Sequence, residues 1–275
     1  MKKAFGKKIV FYGIVGIFIF LSVFPIYYLF LTSVKPANLL LVSPPRLFCT
    51  PDFRLYPEVF IKEGYIRHYG NSVLVAGMAT ILALLIGSFA SFAIAKSKSK
   101  ATVILFFLIV ITRAYMPVTT IIPLYLAGRY LRLLDTRLFL VLAYTSFQLP
   151  LAVIIMTNFI STIPSAIQES AEIDGCSPVG IFFRIILPLG SPGFLAAAIL
   201  IFIFCWQEFL FALVTTTVHA TTAPVFLAGY LETEAALLWR QVSTIGFLMI
   251  IPVLIFAILL NKFLVQGLSA GAVKE

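Results

Sequence analysis

Six stretches of the sequence, 9–31, 72–95, 101–126, 138–159, 194–214 and 242–264, are long, mostly apolar runs. A helix needs about 20 such residues to cross the hydrocarbon core of a bilayer. Once in lipid, backbone amides must bond within the protein, so only helices or a closed barrel can span it. Runs this long without alternation exclude the barrel. The expected fold is therefore an all-α polytopic membrane protein with six transmembrane helices. Composition agrees: 61% of the residues are apolar and 11% charged, against about a quarter charged in soluble domains.

The formal charge of +9 would suit nucleic acid, but the basic residues are scattered between apolar segments and build no basic face. No nucleic acid is expected, and membrane lipid is. The first apolar run follows Lys2, Lys3, Lys7 and Lys8; it is too long for a signal peptide and lacks a small-residue cleavage pattern. These lysines, with Lys96, Lys98 and Lys100 between the second and third runs, place both segments in the cytoplasm by the positive-inside tendency. Six crossings then put the C-terminus there too, leaving Arg129, Arg132 and Arg137 outside against the tendency. The domain reading is a cytoplasmic N-terminus 1–8, a six-helix domain 9–264 and a cytoplasmic tail 265–275. Within that domain lie an outer proline-rich segment, 32–71, and a cytoplasmic connection, 160–191. The outer segment reads either as a small cap or as a loop packed on helix ends.

Cys49, Cys176 and Cys205 are too far apart to suggest a metal site or a disulfide. They read as small apolar fillers, and no catalytic or metal site is expected. His68 and His219 fall in outer segments and join no nucleophile or metal constellation.

The connection between the fourth and fifth runs carries most information. Ser165 with Gln168 has capping-box spacing, Gly175 offers a left-handed helix end, and Ser177-Pro178 restarts a helix that Pro188 and Pro192 would end. Ala166, Ser170 and Ala171 are small, Glu169, Glu172 and Asp174 cluster charge, and Val179, Phe182, Phe183 and Ile186 supply an apolar face. Two readings stand: an element that docks into another protein, and an amphipathic loop on the headgroups. The second predicts lysines rather than carboxylates.

A charge at a helix centre costs roughly 2.5 to 3.5 kcal/mol on insertion scales, so polar groups in spans face protein or water. Arg113, Gln148, Gln207 and Glu208 either line a polar path, near the aromatic rings of Tyr115 and Trp206, or hold helices together. Arg240, Glu232 and Glu234 at the outer mouth either meet a partner or are solvated rim charges.

The connection resembles the cytoplasmic signature of ABC importer permeases, with Glu169, Ala171, Asp174, Gly175, Ile185, Leu187 and Pro188 in register. Ser170 and Cys176 replace alanines, and both are small. RAYMPVTTIIPLYL, LPLAVIIMTNFISTIP, FIFCWQEFLFAL and the tail FLVQGLSAGAVKE are similar to carbohydrate-importer permeases of the maltose type, so the resemblance spans nearly the whole chain. Where that family more often has Trp-Asn-Asp, this chain has Trp206, Gln207 and Glu208, keeping each functional group.

The resemblance implies a permease subunit in the cell inner membrane that pairs with a second permease subunit as a heterodimer, two ATP-binding subunits and an extracellular sugar-binding protein. The sugar would be maltose, trehalose or a related oligosaccharide. No phosphate-binding loop is present, so ATP and Mg would sit on the partner ATPase, and this chain is expected to be neither an enzyme nor a cofactor binder. Glu169, Ser170, Ala171, Asp174 and Gly175 would couple to the ATPase, with Glu169 meeting a basic residue. Tyr115, Gln148, Trp206, Gln207 and Glu208 are the candidates for the path. The alternative function is a secondary transporter driven by an ion gradient, which would want an internal repeat and broken helices around a midplane site.

Overall fold

The structure, a computed structural model, describes residues 2–40, 42–97, 99–115, 117–231 and 239–271, excluding the side chains of 2–7, 9, 10 and 260–271. Lys2, Lys3, Lys7, Lys98, Glu232, Glu234 and the tail side chains at 267–274 lie outside the described residues. Their regular elements are all helical, with no strand among the described residues. They form two compact units: Met1–Ile66 with Phe226–Pro252, and Arg67–Val225 with Val253–Glu275.

The first unit is built on α1, Lys2–Val34. Its apolar part, Phe11–Val34, is long enough to span, and buried side chains are confined to its end at Leu31, Ser33 and Val34, so most of the others face outward. Leu29 lies opposite Gly246, and Phe30 packs on Phe247 at 4.9 Å. The proline-rich segment folds back on α1: Asp52 N–H donates to the Val34 carbonyl at 2.7 Å, and Ser33 Oγ meets the Tyr56 hydroxyl at 2.7 Å. It holds only short helical turns, Ala37–Leu39, Leu55–Pro57 and Glu58–Lys62. Arg240 donates to the Asp52 carbonyl at 2.8 Å and pairs with its carboxylate at 3.0 Å. Arg240 is therefore committed within its own unit.

The second unit begins as α2, Tyr65–Lys96, leaves the first. It contains α3, Lys100–Thr112, α4, Pro117–Tyr130, and α5, Arg137–Ser161. After the connection come α6, Ser191–Trp206, and α7, Leu210–Thr215. Small residues let the helices approach, as in membrane bundles generally. Ala76, Ala79 and Ala83 of α2 are fully buried at helical spacing. A Cβ on Gly87 would lie 2.7 Å from that of Ala152, and Ser91 Oγ donates to the Val153 carbonyl at 3.1 Å.

Four helices are long and apolar enough to cross a membrane, or up to six if each of two bent pairs forms one span. The run expected as a continuous helix over 101–126 is broken between α3 and α4, with a bend above 40°. That expected over 194–214 is interrupted between α6 and α7. Such breaks persist at membrane depth only where protein or a cavity receives the freed backbone groups.

Candidate functional site

The connection forms a short helix, Ser165–Ile173, and a second helical stretch, Pro178–Leu189. Ser165 is not the cap of the first helix, as its capping-box spacing predicts. Pro164 holds that position with extended backbone and no side-chain cap bond, and Ser165 is already helical. The far end follows the expected chemistry. Gly175 has φ +79°, its N–H donates to Glu172 O at 3.0 Å, and Cys176 N–H donates to Ala171 O at 2.9 Å. This is the paired bonding of a Schellman end. Ser177 Oγ then accepts from Gly180 N–H at 3.2 Å, with Pro178 in the first turn.

Pro188 does not end the second stretch. A wider π turn over Phe182–Ile186 precedes Leu187–Leu189, and the chain breaks at Gly190 before turning 79° into α6. Widening spares the helix the interior donor that proline lacks. Pro192 instead occupies the first turn of α6.

The expected apolar face divides. Ile181, Phe182 and Ile186 are buried, and Phe182 packs on Phe89 of α2 at 4.7 Å, while Val179 and Phe183 stay exposed. Ala171 is buried, whereas Glu169, Ser170, Asp174 and Gly175 are exposed. Lys96, at the end of α2, bonds Glu172. The outward surface is thus Glu169, Ser170 and Asp174 around Ile173, which is 86% exposed. Ile173 escaped the sequence reading because an isolated isoleucine in an amphipathic helix looks like core.

A cavity of about 520 Å³ lies where α3 gives way to α4 and α6 to α7, closed on one side by α5. Arg113, Tyr115, Tyr144, Gln148, Phe204 and Glu208 line it. Arg113 follows the last residue of α3. Its Nη1 donates to the Phe147 carbonyl at 3.0 Å and Gln148 Oε1 at 3.2 Å, and its guanidinium lies 5.4 Å from the Phe204 ring centroid. Glu208 sits in the gap before α7, where its carboxylate accepts from Phe211 N–H at 2.9 Å and Ala212 N–H at 3.3 Å. It acts as the cap that a restarted helix requires.

Of the path candidates, Tyr115, Gln148 and Glu208 meet in this cavity with Arg113. Trp206 does not: it is buried, edge-on to Tyr69 at 5.2 Å and stacked on Phe202 at 6.0 Å. Gln207 is exposed and outside the lining.

At the other end of α5 lies Asp135, which no sequence pattern marks. Its carboxylate accepts from the N–H groups of Thr217, Val218, His219 and Ala220 at 3.0–3.2 Å and from the Thr217 hydroxyl at 3.1 Å. Burial alone would raise its pKa, but these amide bonds outweigh it and hold the carboxyl well below the usual range. Around it, Arg137 donates to Asn71 Oδ1 at 2.7 Å, Asn71 donates to the His219 and Thr221 carbonyls, and Arg67 meets His219 Nδ1 at 3.2 Å. Residues 217–221 are thereby clasped to the starts of α2 and α5.

The family model for the binding-protein-dependent transport system inner membrane component matches residues 83–270. The chain is 32% identical to the sulfoquinovosyl glycerol transport system permease protein SmoH of Agrobacterium fabrum, covering 92% of this chain and 89% of that one. It is 30% identical to the trehalose transport system permease protein SugB of Mycobacterium tuberculosis, covering 92% and 93%. Among solved structures, a chain of a bacterial ABC transporter that imports the acidic polysaccharide alginate shares its fold, with a TM-score of 0.78 at 22% identity over 94% of this chain and 96% of that one. Together with helices long and apolar enough to cross a bilayer, these matches make the chain a multi-pass membrane protein of the ABC transporter permease class, belonging to the binding-protein-dependent transport system inner membrane component family.

Proposed function

We propose that this chain is one of two permease subunits of an ATP-driven sugar importer, with six crossings and both termini in the cytoplasm. The observation that carries this reading is the connection between α5 and α6. It is fixed to its own bundle through Phe182, Ile186 and the Lys96–Glu172 contact, yet presents Ile173 among Glu169, Ser170 and Asp174. An apolar knob ringed by acidic groups on a rigid support suits a cleft with basic walls, here that of an ATP-binding subunit. Closure of two such subunits on ATP and Mg would move the permease pair, and an extracellular binding protein would deliver the sugar. Relatives named for trehalose and sulfoquinovosyl glycerol transport support the substrate class. A related chain solved with an alginate-bound periplasmic protein supports the assembly. Family membership gives no support to the ion-gradient alternative.

Ala171 contributes from inside, letting the short helix pack closely, while Glu169 meets the basic wall directly. In proteoliposomes carrying the whole complex, Glu169→Lys is expected to leave insertion and assembly intact and abolish ATP-dependent uptake of radiolabelled trehalose, maltose or an acidic oligosaccharide. Full uptake by this variant, or wild-type uptake driven by an ion gradient without ATP, overturns the assignment.

A further inference from the structure

We propose that the cavity between the broken helices binds a sugar bearing an acid group, with Arg113 as the counter-ion of that group. This rests on the importer reading above and narrows its substrate. Arg113 enters none of the four ion pairs among the described residues. Its partners are neutral: a carbonyl and an amide oxygen on Nη1, and the Phe204 face. They pin one edge and one face of the guanidinium. The Nε and Nη2 edge keeps two parallel N–H groups with no partner among the described residues, the fork that matches a carboxylate, sulfonate or phosphate.

A charge within a span is costly unless something compensates it. Sugar hydroxyls alone would need only uncharged donors and acceptors, which amides and hydroxyls supply without that cost. The other ion in the cavity is already occupied: both Glu208 oxygens accept amide N–H groups of α7. One charge is thus spent on holding the backbone break and the other is left open. Tyr115, 64% exposed, offers a face on which a pyranose ring can lie, and the volume falls within the ordinary range of small-molecule sites.

The test uses the complete complex in proteoliposomes with ATP, and radiolabelled digalacturonate, an alginate trisaccharide, maltose and trehalose as probes. Wild type is expected to take up an acidic probe in preference to the neutral ones. Arg113→Gln should assemble normally and lose roughly tenfold or more of the acidic uptake, because one partner of a charge pair is gone, and Arg113→Lys should recover part of it. Uptake confined to maltose or trehalose, with Arg113→Gln unaffected, overturns the proposal and leaves the importer reading standing. Loss of assembly in Arg113→Gln overturns it by placing the guanidinium in a subunit contact. ATP-dependent uptake of no probe overturns the importer reading itself.

Discussion

Asp135 has φ +56°, a conformation that aspartate and asparagine tolerate better than most residues, and from it the carboxylate reaches four consecutive amides. Asp135→Asn keeps the backbone preference and much of the shape but replaces one acceptor by a donor facing N–H groups. The expected loss is about 1 kcal/mol, because Thr217, Val218 and His219 are exposed and water can replace part of what their N–H groups lose. It should appear as a lowered Tm of the detergent-solubilised protein. Charge gives the effect a pH signature. Because the folded carboxyl titrates below its ordinary value, its stabilisation is fully present above the unfolded pKa of about 4 and is lost as pH falls towards the lower folded one. The Tm difference between wild type and Asp135→Asn should therefore stay level from pH 7 to 5 and shrink below about 4. A difference that grows on acidification would contradict the clasp. Nothing in the sequence announced this residue, because its partners are backbone amides more than eighty positions away, and a main-chain donor leaves no trace in residue type.

The connection between α5 and α6 was far more legible, because its turns are made by local chemistry. Gly175 and Ser177-Pro178 act where their residue types say they should. What misled was any feature that depended on the third dimension. Ser165 fits a capping box but lies one residue inside the helix; Pro188 looks like a terminator but is absorbed by a π turn; Val179 and Phe183 share composition with Phe182 and Ile186 but not their burial. Path residues fared similarly: Tyr115, Gln148 and Glu208 reach one cavity, whereas Trp206, the most conspicuous of them, is used for packing. Since no atom lies within 4 Å of a Cβ built on Gly175, substitution there meets no clash and tests conformation alone. Positive φ costs an ordinary residue about 1 to 2 kcal/mol, and a β-branched one suffers most. Gly175→Val should thus cut copurification of the ATP-binding subunit roughly tenfold by tilting the short helix, while Gly175→Asn retains most of it. Equal copurification with both variants would mean that the Schellman end does not set the docking geometry.

For the whole chain, hydropathy located the four helices long and apolar enough to cross a membrane, yet it could not show that the run over 101–126 is a bent pair or that α6 stops before α7, because each reads as a single apolar stretch. Which ends lie together is clearer. In the second unit Lys96 meets Glu172, and the Asp135 clasp joins the start of α5 to residues 217–220; in the first, the proline-rich segment bonds Arg240. Each pairing joins segments that six crossings place on the same side. The native cysteines can test that topology without engineering. Cys49 lies in the proline-rich segment and Cys176 follows the Schellman glycine; both are partly exposed, whereas Cys205 is buried in α6. A membrane-impermeant maleimide applied to sealed right-side-out vesicles should label Cys49 and spare Cys176 and Cys205. Permeabilising the vesicles should then add Cys176, and only denaturation should add Cys205, since a buried thiol presents no accessible thiolate to the reagent. Labelling of Cys176 before permeabilisation would invert the orientation, and labelling of both Cys49 and Cys176 from one face would require an odd number of crossings between them to become even.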